Sequence, residues 1–349
     1  MYKELNDLLL LDGVSGFESN VRKYIVNYAT KLSDFVVECD NLGSIFLVKK
    51  SKLKNAPKVM VAGHMDEVGL MVVEISQNGL LKLNPIGGLD KTMLVSQVLY
   101  VHTKDKKIAG VVPSIPPHLS AFGQANDIYL DVGAKNYQAV IESGISLGNV
   151  VTFGLGIIPT SNKDRFISKA IDNRFGCAMS LLIAKKFDNV DLPYDLIVGA
   201  TVQEEVGLRG AETATKKFGP DVFIALDASP VNDLLDSEFP CHMGDGILIR
   251  MNDPRNTIQR GLLELFSKLA KKGNIKHQFF TSKGGTDAAA ALDQLGGVLA
   301  TTIGLPTRYI HSNAAIFDMT DFEEVKKMIF KVLGTLDRDV IEKMKECNR

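Results

Sequence analysis

Three short apolar runs, each ending on His, Glu or Asp, constrain this chain more than any other feature. Lys58 to Gly63 (KVMVAG) runs into His64, Asp195 to Val202 (DLIVGATV) into Glu204 and Glu205, and Val222 to Leu226 (VFIAL) into Asp227. Runs this short and this continuously apolar suit strands buried on both faces of an α/β sheet. Such sheets bind ligands beyond the carboxyl ends of their strands, where loops gather side chains remote in sequence. His64, Glu204, Glu205 and Asp227 are therefore expected to meet.

Helical patterns alternate with these strands over 173–187, 209–218, 257–272 and 321–345, the grammar of an α/β fold. Ser15 and Glu18 have the spacing of a capping box. Val21, Tyr24, Ile25 and Tyr28 then recur as one stripe, which predicts a helix from Ser15. Two β-rich runs, 35–39 and 44–48, flank Asp40-Asn41-Leu42-Gly43 and read as a hairpin. Between 68 and 162 the chain changes character, with short strand-like runs, Gly and Pro turns and little helical periodicity. The expected organisation is an α/β domain from residues 1–67 and 163–349, interrupted by a β-rich insert over 68–162.

At 349 residues the chain is long enough for two compact cores. Forty basic against 41 acidic residues leave a formal charge of −1, no field to draw a polyanion, so nucleic acid and anionic membrane are disfavoured as partners. Cys39, Cys177, Cys241 and Cys347 lie far apart without a CxxC pair, which suggests a reducing, cytoplasmic setting. The opening MYKELNDLLLLDG lacks the apolar length of a signal peptide, and no run approaches the ~20 apolar residues of a membrane helix.

A zinc-like ion prefers imidazole nitrogen and carboxylate oxygen, and a hydrolytic site for a pair of such ions needs about five donors with one carboxylate bridging. Each candidate also has an ordinary explanation. His64 in AGHMDEVG could be a core histidine, but Asp66 follows at i+2, where a strand end lets it support the imidazole. The Glu204-Glu205 pair could be solvated, yet it follows a buried strand, where adjacent carboxylates repel unless a cation or shared proton stabilises them. Asp172 in KAIDNRFG and Asp227 in IALDAS could be helix caps, and His311 in TRYIHSN a surface loop residue. Their combination, more than any one of them, favours a metal centre.

In order, AGHMDEVG, KAIDNRFG, VQEEVGLRGA, ALDASP, GGTDAAA and RYIHS resemble the glutamyl aminopeptidase and deblocking (tetrahedral) aminopeptidase family of di-zinc metallopeptidases, and PPHL at 116–119 is similar to it too. The resemblance covers essentially the whole chain. It implies a mixed-sheet α/β metallopeptidase domain of the phosphorylase/hydrolase-like kind, with the insert as a β-barrel-like dimerisation domain. It also implies that Asp172 bridges two divalent metal ions, that Glu205 and His311 complete one site, and that His64 and Asp227 complete the other. Zinc is the expected ion, with cobalt or manganese also suiting the donors. Glu204 is then free as general base, with Asp66 behind His64 as its catalytic partner, and the reaction is release of N-terminal residues from peptides.

Arg250 and Lys283 lie in segments that the resemblance puts near the substrate, where a cation would favour acidic N-terminal side chains. Thr286 and Asp287 are expected to cap the following helix and support the site. The family's assembly implies a homododecamer built from dimers. Two other readings use the same residues: a glycoside hydrolase, which works with paired carboxylates but usually with aromatic platforms, and this chain has no Trp; and a scaffold whose metal only stabilises the fold, which would have no need of Glu204.

Overall fold

The computed structural model describes residues 1–116 and 127–348. Helices α1 (Lys3–Leu9) and α2 (Ser19–Ala29) lead into strands β1 (Val36–Cys39), β2 (Ile45–Lys49) and β3 (Lys58–His64). There follow β4 (Gly69–Ile75), β5 (Leu80–Ile86), β6 (Val98–His102), β7 (Lys107–Val111), β8 (Ile128–Asp131), helix α3 (Tyr137–Glu142) and β9 (Val150–Phe153). The remainder runs β10 (Ile158–Pro159), β11 (Arg165–Ser168), α4 (Ile171–Phe187), β12 (Asp195–Thr201), α5 (Arg209–Phe218), β13 (Val222–Pro230) and β14 (Ile247–Asn252). It ends with α6 (Arg260–Gly273), β15 (His277–Thr281), α7 (Asp287–Leu292), β16 (Leu299–Arg308), β17 (Ala315–Asp318), α8 (Met319–Leu333) and α9 (Arg338–Glu346).

Among the described residues, eleven strands form one mixed sheet in the order β1-β2-β12-β3-β13-β16-β17-β11-β10, with β14 pairing to both β16 and β15. The neighbours β12, β3, β13 and β16 are parallel, and their apolar runs are buried, as strands covered on both faces must be. One face packs on α1, α4, α6 and α8 through Leu5, Phe175, Met179, Phe266 and Phe322. The other carries a smaller core in which Phe46, Met60 and Phe223 meet Phe218 of α5 and Ala288 of α7.

The second architecture is a closed barrel, β4-β5-β8-β7-β6-β9, filled by Leu70, Leu81, Leu99, Leu130 and Phe153. Alternation places these side chains inside. The chain returns to the large sheet at β10, which lies inside the stretch read as insert and pairs with β11 just beyond it. Of the PPHL segment, only Pro116 falls among the described residues. Among those residues no helix is long and apolar enough to cross a membrane.

Local expectations were met unevenly. The hairpin forms, Cys39 facing Ile45, with Asp40 accepting the backbone N–H groups of Leu42, Gly43 and Ser44 in its turn. The capping box does not. Helix α2 begins at Ser19 with no side-chain cap, because Ser15 Oγ donates to Asp66 and the Glu18 carboxylate accepts from Gly16 and Gln203. The expected C-terminal helix is two, broken after Leu333, with Asp337 capping the second through the Val340 N–H.

Candidate metal centre

The site opens where β13 parts from β3. These strands are paired from Val222↔Val59 to Ala225↔Ala62 and no further, while His64 keeps its register with Thr201 of β12. Asp227, two residues beyond the last pair and still paired to Gly304 of β16, borders the resulting crevice. His64 stands at the opposite lip, 2% exposed. Its Nε2 lies 3.2 Å from Asp172 Oδ1, 3.6 Å from Asp227 Oδ1 and 3.8 Å from Glu204 Oε2.

Asp172 reaches the crevice because the first turn of α4 is not helical. Asp172 and Asn173 have ψ of 102° and 48° and share a cis peptide bond, and Asn173 donates to the Leu226 carbonyl of β13 at 2.8 Å. The capping role that an Asp before a helix suggests is therefore absent; Ala170 occupies the N-cap position. Asp172 Oδ2 lies 3.4 Å from His311 Nε2, and Glu205 Oε2 lies 3.2 Å from the same atom.

Both histidines have their tautomer fixed. A carbonyl only accepts, so the 3.0 Å contact of His64 Nδ1 with the Asp66 carbonyl and the 2.9 Å contact of His311 Nδ1 with the Gly88 carbonyl put the proton on Nδ1. Each Nε2 is left facing carboxylates, and it is this atom that would be offered to a metal ion. The Asp66 carboxylate, 3.4 Å from His64 Nδ1, also accepts Ser15 Oγ at 2.7 Å and the N–H groups of Glu204 and Glu205 at 3.0 and 3.1 Å. These bonds fix the turn after β12, whose Gln203 has a left-handed φ of 55°.

The electrostatics call for cations. Asp66, Asp172, Glu204, Glu205, Asp227 and Asp287 converge here, and among the described residues no Lys or Arg forms an ion pair with any of them. Glu205 Oε1, Asp227 Oδ1 and Asp287 Oδ1 are buried without a donor. Burial, with repulsion from Asp172, pushes Glu205 up to about 8; burial, with repulsion from Asp227, pushes Asp287 up to about 7. Burial and the neighbouring Asp227 and Glu205 carry Glu204 well above the carboxylate range. Burial opposes a charge on His311, but Asp172 and Glu205 raise it to about 9.

The donor set fits metal. His64, Asp172 and Asp227 form one group able to hold an ion, Asp172, Glu205 and His311 another, with donor atoms in each within 4.8 Å of one another. His64, Glu204 and Glu205 also meet that distance. Asp172 is shared between the first two groups, one oxygen toward each histidine.

A cavity of about 820 Å³ opens from this cluster and is lined by Asp172, Glu204, Glu205, Asp227, Arg250 and Lys283. Arg250 is 5% exposed and held by the Gly284 carbonyl, Ser229 Oγ and, at 3.6 Å, Asp253, with its Nε unpartnered. Lys283 is exposed and makes no salt bridge among the described residues. Thr286 does not cap α7; it bonds Thr302, and Asp287 accepts from Thr201. Asp287, expected to support the site from a helix cap, instead joins the buried carboxylate cluster, and two contributors escaped the sequence: Arg255 on the cavity wall and the Gly88 carbonyl, supplied from beyond β5.

Residues 43–328 match the M42 glutamyl aminopeptidase family. The glutamyl aminopeptidase of Lactococcus lactis subsp. cremoris is 37% identical over 353 residues, covering 99% of each chain. The lysyl aminopeptidase of Pyrococcus furiosus is 32% identical over 337 residues, 93% of this chain and 94% of that one. The crystal structure of a TET aminopeptidase from a marine sediment Thaumarchaeota archaeon superposes with a TM-score of 0.92 at 30% identity, covering 98% of each chain.

Proposed function

The chain belongs to the M42 glutamyl aminopeptidase family, which makes it a metal-dependent aminopeptidase, and on that premise we propose that it hydrolyses N-terminal residues from peptides at a centre built for two divalent ions. The observation that carries the reading is Asp172, with one oxygen 3.2 Å from His64 Nε2 and the other 3.4 Å from His311 Nε2. Asp172 would be shared between the two ions, with His64 and Asp227 completing one site and Glu205 and His311 the other. Zinc suits these donors first, cobalt and manganese after it. Such ions, when bound, supply Lewis acidity toward the scissile carbonyl and toward water.

Glu204 is the general base. It borders the cavity beside the ligands, is left outside both of those donor sets, and is pushed toward higher proton affinity by burial and by Asp227 and Glu205. It takes the proton of the attacking water and passes it to the departing amine. Asp66 keeps Glu204 and Glu205 in place through their backbone N–H groups. The surplus of carboxylates favours a free α-ammonium group, which confines cleavage to the first peptide bond.

Arg250 and Lys283 give the cavity a basic wall, and the preferred N-terminal side chains are acidic, Glu over Asp. Residues 1–67 and 163–349 serve as the catalytic domain and 68–162 as a dimerisation insert. Dimers assemble to a dodecamer, and the enzyme works in the cytoplasm. The test is chromophore release from Glu, Asp, Leu, Lys and Ala p-nitroanilides by wild type and Glu204→Gln with zinc or cobalt added. Turnover lost in Glu204→Gln with metal content intact supports the reading; no turnover on any substrate by fully metal-loaded wild type rejects it.

A further inference from the structure

A chain of buried ionic groups runs behind the metal centre and takes no part in the chemistry proposed for it. It starts on the barrel, where Lys107 of β7 donates to the Asp12 carboxylate. Asp12 also receives Lys169 Nζ at 3.0 Å. Lys169 donates to both oxygens of Glu67, at 2.8 and 2.9 Å. Glu67 further accepts Arg174 Nη2 at 3.1 Å and the Gly13 N–H at 3.0 Å. Arg174 directs its other donors to the carbonyls of Met65, Leu8 and Leu11.

Glu67, Lys169 and Arg174 are 2%, 3% and 0% exposed, and their places in sequence matter. Glu67 follows His64 closely; Lys169 and Arg174 lie on either side of Asp172. One carboxylate thus fastens the segment bearing His64 to both flanks of Asp172. Stability alone does not account for this arrangement, because ion pairing regains buried-charge desolvation only in part and apolar side chains would fill the same space. What charged, multiply bonded groups add is direction: they fix backbone segments to within tenths of an ångström, as two donors to one cation require.

We propose that Glu67 is a positioning residue that holds His64 and Asp172 at metal-binding separation, and that Lys107, Asp12 and Lys169 make this separation depend on how the barrel is docked. The inference rests on the reading of His64 and Asp172 as metal ligands. Outer partners of metal ligands commonly govern affinity in this way.

The experiment measures zinc affinity, by competition with a chromophoric chelator, for wild type, Glu67→Gln, Lys107→Met, the double variant and His64→Ala, with the melting temperature of each metal-free form. Glu67→Gln is expected to bind zinc about 10- to 100-fold more weakly. Lys107, whose side chain is 53% exposed, is a safe site to change, and Lys107→Met should weaken binding about threefold or more. The double variant should be no weaker than Glu67→Gln alone, since the relay passes through Glu67. A folded Glu67→Gln with wild-type zinc affinity and only a lower melting temperature overturns the proposal. If Glu67→Gln does not fold, unaltered affinity in Lys107→Met overturns it instead. Wild type that binds no zinc, or His64→Ala that binds it as well as wild type, overturns the metal reading and this inference with it.

Discussion

The backbones of Gly63 and Gly176 touch: a side-chain carbon on Gly63 would lie 2.5 Å from the Gly176 carbonyl carbon, and one on Gly176 would lie 2.7 Å from Gly63 Cα. Helix α4 therefore rests directly on β3. His64 is the next residue on the strand and Asp172 opens the helix, so this bare contact brings the two donors to 3.2 Å.

Gly63→Ala should consequently damage stability and site together. Overpacking of this kind costs about 1–3 kcal/mol. Urea unfolding of the metal-free protein measures the first effect and zinc titration the second; a variant with wild-type values in both would show that α4 can shift without disturbing Asp172.

His311 and Asp172 should differ in what their loss removes. His311→Ala is expected to lower the metal content from about two ions per chain toward about one, whereas Asp172→Asn weakens both sites. Elemental analysis after dialysis against trace zinc distinguishes them. Equal losses would mean that Asp172 does not bridge.

Lys283→Ala should raise KM for a glutamyl substrate by about three- to fivefold while leaving the leucyl substrate within about twofold, as expected on losing one exposed charge contact. Steady-state kinetics on both substrates decides this. Unchanged values for both would move acidic recognition to Arg250, which is held by Ser229 and Gly284, or to Arg255.

Asp12 sets a pH limit on stability. Burial works against its charge, but Lys169 and Lys107 hold its carboxyl down at about 2, from 3.8. The folded pKa is depressed, so the unfolded chain binds the proton more readily. The stabilisation, up to about 2 kcal/mol, is present above pH ~4 and is lost as pH falls toward ~2. Urea midpoints between those limits should fall less steeply for Asp12→Asn than for wild type; parallel slopes would contradict the assignment.

What could be read from the sequence follows from how local each cause is. A strand covered on both faces needs apolar residues at nearly every position, so the runs before His64, Glu204 and Asp227 announce themselves. Ser15 and Glu18 mislead because capping-box spacing says nothing about a competing partner, and here Asp66 and Gln203 draw them away from the helix. The break between α8 and α9 lies at Gly334 to Asp337, where a new cap outweighs the continuing apolar periodicity. Asp287 has the sequence setting of a helix-capping residue, and only the folded chain places it among the other carboxylates. Gly88 could not be singled out, because its contribution is a backbone carbonyl, and the closeness that favours glycine there, 3.2 Å from a side-chain carbon at 88 to His311 Nδ1, exists only in the folded chain.

That carbonyl has a consequence for how the protein matures. The segment carrying Gly88 leaves β5 of the barrel, while His311 lies just beyond β16, so the imidazole is oriented only after segments far apart in the chain have both arrived. No nascent fragment that stops short of β16 can present the complete cluster. If His311 holds metal as proposed, uptake on its side would be a late event in biogenesis, after the segment beyond β5 and the end of β16 have both been placed.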